Sequence, residues 1–236
     1  MAIADTRRIM DKEQDKNLAA DIVAANGTKV KWLRTLAAIV SYVFHPMFMP
    51  AAMAAVLYKL DTTGFIAISS DQFVRWLAAI AINTIVFPLV LVLLLKGLGF
   101  IQSIYMRTSK ERIIPLIGSM VFYFWANLVF KNQPDVPMTL RVLMLGAYWG
   151  IIVLFLTNIF FKVSMHTMAA GGMLGVLTVL LISSPVGMIV PLFIAIVIAG
   201  VIGTSRMLLG AHNQSQIWIG YVLGFAVQMA AYMYVL

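Results

Sequence analysis

A chain of 236 residues that is 62% hydrophobic and only 11% charged is not a water-soluble domain, in which about a quarter of the residues carry charge. With no Cys, three His and nine acidic residues, it has no disulfide or thiolate metal site and little material for a protein-bound metal cluster. The net charge of +8 sits in basic residues near the ends of apolar runs, which points to anionic lipid headgroups or a phosphate ligand rather than to nucleic acid.

Taken in chain order, residues 1–31 read as a polar tail with no secretory leader. Leu18, Ile22 and Val23 allow a short interfacial helix closed by Asn26-Gly27, against the more ordinary reading of a partly ordered tail. Residues 32–236 then form one transmembrane helical domain. Apolar segments lie at about 35–58, 74–98, 113–131, 139–161, 167–183, 187–204 and 216–236. Each is near the roughly 20 residues a helix needs to cross a bilayer. The fold class is therefore all-α, a polytopic bundle of six to seven membrane segments.

The first segment carries His45-Pro46-Met47-Phe48-Met49-Pro50. Each Pro removes a backbone hydrogen bond, so this span is predicted to kink or split. His45 lies roughly 15 Å into the segment at the helical rise. Two readings stand for it: it lines a substrate path, or it bonds across helices or to carbonyls that a proline frees. Pro88 predicts a kink in the second span. Lys131-Asn132-Gln133-Pro134-Asp135 and Ser183-Ser184-Pro185 read as turns. Ala169-Ala170-Gly171-Gly172 with Gly175, and Gly220 with Gly224, predict close approach between helices.

Three polar clusters interrupt this pattern: Arg107-Thr108-Ser109-Lys110-Glu111-Arg112, Lys162-Val163-Ser164-Met165-His166, and Ser205 to Gln216. Two crossings separate each from the next, so all three fall on one face of the membrane. Arg206 and His212 are six residues apart between long apolar runs, and a cation and an imidazole so near hydrocarbon indicate function. Arg112, Lys110 and Arg206 suit the charge of a phosphate and of its transition state. Ser164 and backbone amides add hydrogen bonds. One His attacks phosphorus in line and the other protonates the leaving alkoxide. No metal and no cofactor is needed. For any one Lys or Arg alone, the ordinary reading is interfacial snorkelling.

These residues resemble the type-2 phosphatidic acid phosphatase superfamily of membrane lipid phosphatases over roughly residues 105–236. Ser205-Arg206, five residues, then His212 repeats the third family signature, with Gln216 standing where the family has Asp. Val163-Ser164-Met165-His166 keeps the Ser and His of Pro-Ser-Gly-His. The first signature, Lys, six residues, Arg-Pro, has only Arg112-Ile113-Ile114-Pro115 as a loose counterpart. The resemblance implies His212 as nucleophile, His166 as general acid, and Arg206 and Ser164 as phosphate ligands. It makes Arg112 a weaker ligand, with Lys110 or Arg107 a candidate second cation, and Gln216 the residue that orients His212. It implies a phosphohistidine intermediate without metal.

The partner is then a phosphorylated membrane lipid held at headgroup level: phosphatidic acid, phosphatidylglycerophosphate, a polyprenyl (di)phosphate or a phosphorylated lipid A. Most of the 17 basic residues lie on the face with the three clusters, which puts that face on the cytoplasmic side. A bacterial inner membrane is the expected location. A degenerate relative that binds lipid phosphate, or serves as a membrane assembly partner, is the second reading. A small transporter, suggested by split helices and His45, is the third.

Overall fold

The computed structural model describes residues 30–104, 109–184 and 187–236 and, apart from positions 109 and 110, their side chains. The expected interfacial helix at residues 18–23, Arg107 and Pro185 lie outside the described residues. Among the described residues the fold is all-helical, and seven helical segments are long and apolar enough to cross a bilayer. Their outer faces present apolar side chains such as Leu93, Phe193 and Val222. Helices can do this in hydrocarbon because each satisfies its backbone hydrogen bonds internally.

The first span is two helices. α1 covers residues 30–43 and α2 covers Met49–Leu60. Between them His45 is extended (φ −66, ψ 137), and Pro46–Phe48 make one 3-10 turn. A residue before proline is pushed to this conformation. Each proline then occupies a first-turn position, where a missing N–H costs nothing. The prolines thus start helices here, and the split in the span is set by where they fall.

The second span is α3 (Ser70–Ala81) and α4 (Phe87–Gly97) joined by a π-helical turn at Ile82–Val86. Pro88 takes away the N–H that would reach back one turn, and the wider turn absorbs the defect. α5 (Ser109–Lys131) and α6 (Met138–Phe160) follow. Away from the polar clusters, Asp61 accepts from Gly64 N–H (2.9 Å) and Thr139 Oγ1 (2.6 Å), tying the α2–α3 loop to α6. The α5–α6 turn is held by Trp76 Nε1 donating to Gln133 Oε1 (3.0 Å) and by Arg141 donating to the Gln133 and Pro134 carbonyls.

α7 (Met165–Ser183), α8 (Ile189–Leu208) and α9 (Gln214–Val235) complete the bundle. α7 is the central post: its apolar window is 61% buried, against 17% for the α3–α4 span. It packs against α9 with almost no side chain between. A Cβ at Gly224 would run into the Met168 carbonyl, and one at Gly220 into Thr167 and the Ser164 carbonyl. The glycines read in the sequence as sites of close approach form this seam. It sets the starts of α7 and α9 side by side.

Candidate functional site

The paired helix starts are fastened by backbone. Ser164 N–H donates to the Gln216 carbonyl at 3.3 Å. Ser164 caps α7, its Oγ accepting from Thr167 N–H at 3.4 Å, and Asn213 caps α9, its Oδ1 accepting from Gln216 N–H at 2.9 Å. Both helices therefore point their positive ends at the same place, as does α5, which begins at Ser109.

α8 arrives from the opposite direction. Arg206 is in its last turn, where a cation complements the negative helix end. Gly210 then takes a left-handed φ of 65. Gly210 N–H reaches the Met207 carbonyl and Ala211 N–H the Arg206 carbonyl. This closure, open to glycine at little cost, turns the chain back so that His212 is buried between α8 and α9.

His212 Nδ1 lies 2.9 Å from Gln216 Oε1. An amide oxygen only accepts, so Nδ1 carries the proton and Nε2 keeps the lone pair a nucleophile needs. Gln216 sits one helical turn on and does this without bringing a negative charge. Burial, and then the positive charges of Lys162, Arg206 and Arg112, push the His212 pKa down to about 4, and the Gln216 bond opposes that only in part. The imidazole is neutral at neutral pH.

His166, in the first turn of α7, has Nε2 3.0 Å from the Ser41 carbonyl. Since a carbonyl accepts, Nε2 is the protonated nitrogen. Arg206 Nη1 donates to Ser41 Oγ at 3.0 Å, while its Nε is buried with no hydrogen-bond partner among the described residues. One residue of α1 thus satisfies a ring nitrogen of His166 and one arm of Arg206. The His45 ring meets the His166 ring edge to face, with centroids 5.4 Å apart.

Lys162 donates to the Ala211 carbonyl at 3.2 Å. Burial lowers its pKa, followed by the charges of Arg112 and Arg206. Arg112, in the first turn of α5, is buried, with Glu111 as an acidic neighbour. Arg112, Lys162 and Arg206 therefore act on one another as like charges in partly desolvated surroundings. Such a group is relieved by an anion.

Beside this cluster, His45, Arg112 and Met165 border a chamber of about 220 Å³ that continues into the bundle. Its walls are mainly Met, Leu, Pro and Gly residues of α2, α4, α5, α6 and α7. It extends to Thr84, Tyr123 and Gln228. Thr84 and Gln228 are roughly 20 Å along their helices from the site end at the helical rise.

Six of the residues selected from sequence, His166, His212, Arg206, Ser164, Gln216 and Arg112, come together at this end of the bundle. Lys110 is in the same first turn of α5, its side chain outside the described atoms. Ser41, His45 and Lys162 complete the cluster; Lys162 was read in the second polar cluster without a role of its own, and Ser41 and His45 were not placed at the site. Ser41 gives no signal in a sequence, being one small hydroxyl in an apolar run. His45 and Lys162 gave the signal of polar groups beside hydrocarbon, but not their partners.

The sequence model of the PAP2 superfamily matches residues 128–236. The match takes in Ser164, His166, Arg206, His212 and Gln216, and leaves Ser41, His45 and Arg112 outside it. No curated protein and no solved structure matches the chain.

Proposed function

We propose, from the premise that this chain belongs to the PAP2 superfamily, that it is an integral-membrane lipid phosphatase acting through a phosphohistidine. The observation that carries this is His212: a neutral imidazole with Nδ1 held by Gln216, beside three cations and two helix starts. In the proposed reaction the phosphate is neutralised by Arg206, Arg112 and Lys162. The Ser164 hydroxyl proton, which its capping bond leaves unused, adds a further bond. His212 Nε2 attacks phosphorus and the P–O ester bond breaks. The bound anion favours a second proton, taken up from solvent, on His166 Nδ1; the resulting imidazolium gives its Nε2 proton to the leaving alkoxide oxygen, which replaces the Ser41 carbonyl as its acceptor. Water then attacks the phosphohistidine, the P–N bond to His212 Nε2 breaks to release phosphate, and His166 takes the proton of the water.

The chamber supports a substrate whose tail stays in the bundle. Moving a chain from bilayer to chamber exchanges one apolar setting for another, so it adds little affinity. What it supplies is register, holding the ester oxygen at the cations. Phosphatidic acid, phosphatidylglycerophosphate, a polyprenyl (di)phosphate and a phosphorylated lipid A all satisfy that chemistry. The basic residues gathered at the site end favour the cytoplasmic side of a bacterial inner membrane under the positive-inside rule.

The test is phosphate release from phosphatidic acid and from a polyprenyl diphosphate by purified protein in lipid nanodiscs with chelator present. The expected result is turnover in the wild type and a loss of about a thousandfold or more in His212→Ala. Undiminished turnover in that variant removes the proposed nucleophile. A second reading is supported by Gln216 and by the hold of Ser41 on Arg206 and His166: a protein that binds lipid phosphate without hydrolysing it. Saturable lipid phosphate binding with no release in the wild type would select it.

A further inference from the structure

His45 stands between the charged cluster and the chamber. On one side its ring lies against His166, with centroids 5.4 Å apart and planes at 84°. On the other it forms part of the chamber wall together with Arg112. His166, Arg206 and His212 do not line that chamber. A phosphate held by the cluster, with its tail in the chamber, therefore has its bridging oxygen passing His45.

The protonation of His45 is set by the break in the first span. Met47 N–H donates to Nδ1 at 3.4 Å, the cap of the 3-10 turn. Nδ1 is the acceptor, so the neutral ring carries its proton on Nε2. Among the described residues Nε2 makes no hydrogen bond. His166 has a different arrangement: its Nε2 is engaged by the Ser41 carbonyl. Of the two touching imidazoles, His45 is the one with an unused donor at the chamber wall.

We infer that His45 Nε2–H donates a hydrogen bond to the bridging ester oxygen of the bound lipid phosphate, making His45 a third histidine of the site. It gives up no proton, because a neutral imidazole is too weak an acid. The proton for the leaving alkoxide still comes from His166, in its imidazolium form. The bond strengthens as negative charge grows on that oxygen, so it matters most where the leaving group is a poor one. The inference rests on the phosphatase reading above. It also explains why a histidine is placed before Pro46: the position gives the ring a fixed tautomer through the cap.

The test compares two variants on two substrates. His45→Phe keeps the ring's bulk and loses both nitrogens. His45→Asn keeps an N-capping side chain for the turn but is too short to reach the chamber. Each is assayed on dodecyl phosphate, an alkyl ester with a poor leaving group, and on p-nitrophenyl phosphate, an aryl ester with a good one. Both variants are expected to lose roughly tenfold to a hundredfold in kcat/KM on the alkyl ester, and less than about threefold on the aryl ester. Equal losses on both substrates would reduce His45 to a structural cap, and no loss on either would remove it from the site. His212→Ala, run alongside, separates the two ideas: if it is inactive while the His45 variants match the wild type, only the present inference fails. Should the wild type bind lipid phosphate without turnover, the comparison becomes affinity. His45→Phe must then weaken dodecyl phosphate binding and leave inorganic phosphate binding unchanged, and an unchanged dodecyl phosphate affinity overturns the inference.

Discussion

Between Lys162 and Gln216 the site residues come in short runs, each fixed by local backbone: a cap, a helix start, a glycine turn. From the helices before residue 128 they come one at a time, as Ser41, His45 and Arg112, each delivered by the packing of a whole span. The first group holds the residues proposed for the phosphate chemistry, apart from Arg112, and falls inside the matched residues 128–236. The second reaches in from outside that match, sealing the cluster through Ser41 and opening it to the chamber through His45 and Arg112. On this division, the later helices set what reaction is available and the earlier ones set what approaches it. Experiments that damage one group and spare the other measure how real the division is.

The largest effect belongs to the α7–α9 seam, on which the first group depends. Gly224→Leu drives a side chain into the Met168 carbonyl of the neighbouring helix. The obstacle is backbone, which does not rotate away. Overpacking of this kind is expected to cost about 3 kcal/mol or more. The variant should lose monodispersity on size exclusion, melt well below the wild type, and have no activity. A variant that melts with the wild type and stays active would mean that the site does not need the two helix starts held together.

The next effect is chemical and leaves the fold alone. Gln216→Glu is nearly isosteric and keeps the 2.9 Å contact with His212 Nδ1 while supplying the missing negative charge. It is expected to raise kcat/KM roughly tenfold or more, since an imidazole–carboxylate pair stabilises the imidazolium side of proton transfers. It also has a pH signature. In the wild type burial holds the His212 pKa down to about 4, so the nucleophile stays deprotonated well below the ordinary 6.5. A carboxylate favours the protonated ring, so the acid limb of kcat/KM moves to higher pH. Ionisation of the lipid phosphate is common to both proteins and cancels in the comparison. The same lowered pKa fixes the sign for stability. The unfolded chain binds this proton near 6.5 and the folded one only near 4, so stability is full above 6.5 and is lost as pH falls between those values. An acid limb that does not move would show that Gln216 is not the residue that orients His212.

The division also separates what a sequence discloses from what it withholds. The bilayer demands about 20 apolar residues per crossing, so the spans were legible, including the break at His45-Pro46. The third cluster was legible because Arg206, His212 and Gln216 are joined through one helix end and one helix start, within the reach of local rules. The seam was legible in Gly220 and Gly224. Ser41 was not, because its two bonds span 125 and 165 residues of chain and nothing local marks it. His45 showed an anomaly, but not its partner: its Nδ1 accepts from the Met47 N–H of its own turn, rather than bonding another helix or a freed carbonyl, and its ring lines a chamber. Pro88 announced a kink, but not that a π-helical turn would absorb it.

The smallest effect is the most informative about the earlier helices. Ser41 Oγ accepts from Arg206 and its carbonyl accepts from His166, so this residue offers those donors the kind of oxygen a phosphate ester would. Two jobs are compatible with that geometry, and they differ in sign. If Ser41 competes with substrate, Ser41→Ala frees one arm of Arg206, and the fraction of protein ready to bind rises. KM for lipid phosphate then falls by about threefold with kcat unchanged, a modest gain because the carbonyl bond to His166 remains. If Ser41 instead aims Arg206 at the phosphate, the same change raises KM. We expect the fall, because a cation already surrounded by Arg112 and Lys162 gains most from an anion and least from a hydroxyl. A rise in KM would recast α1 as part of the phosphate-binding machinery and merge the two groups into one.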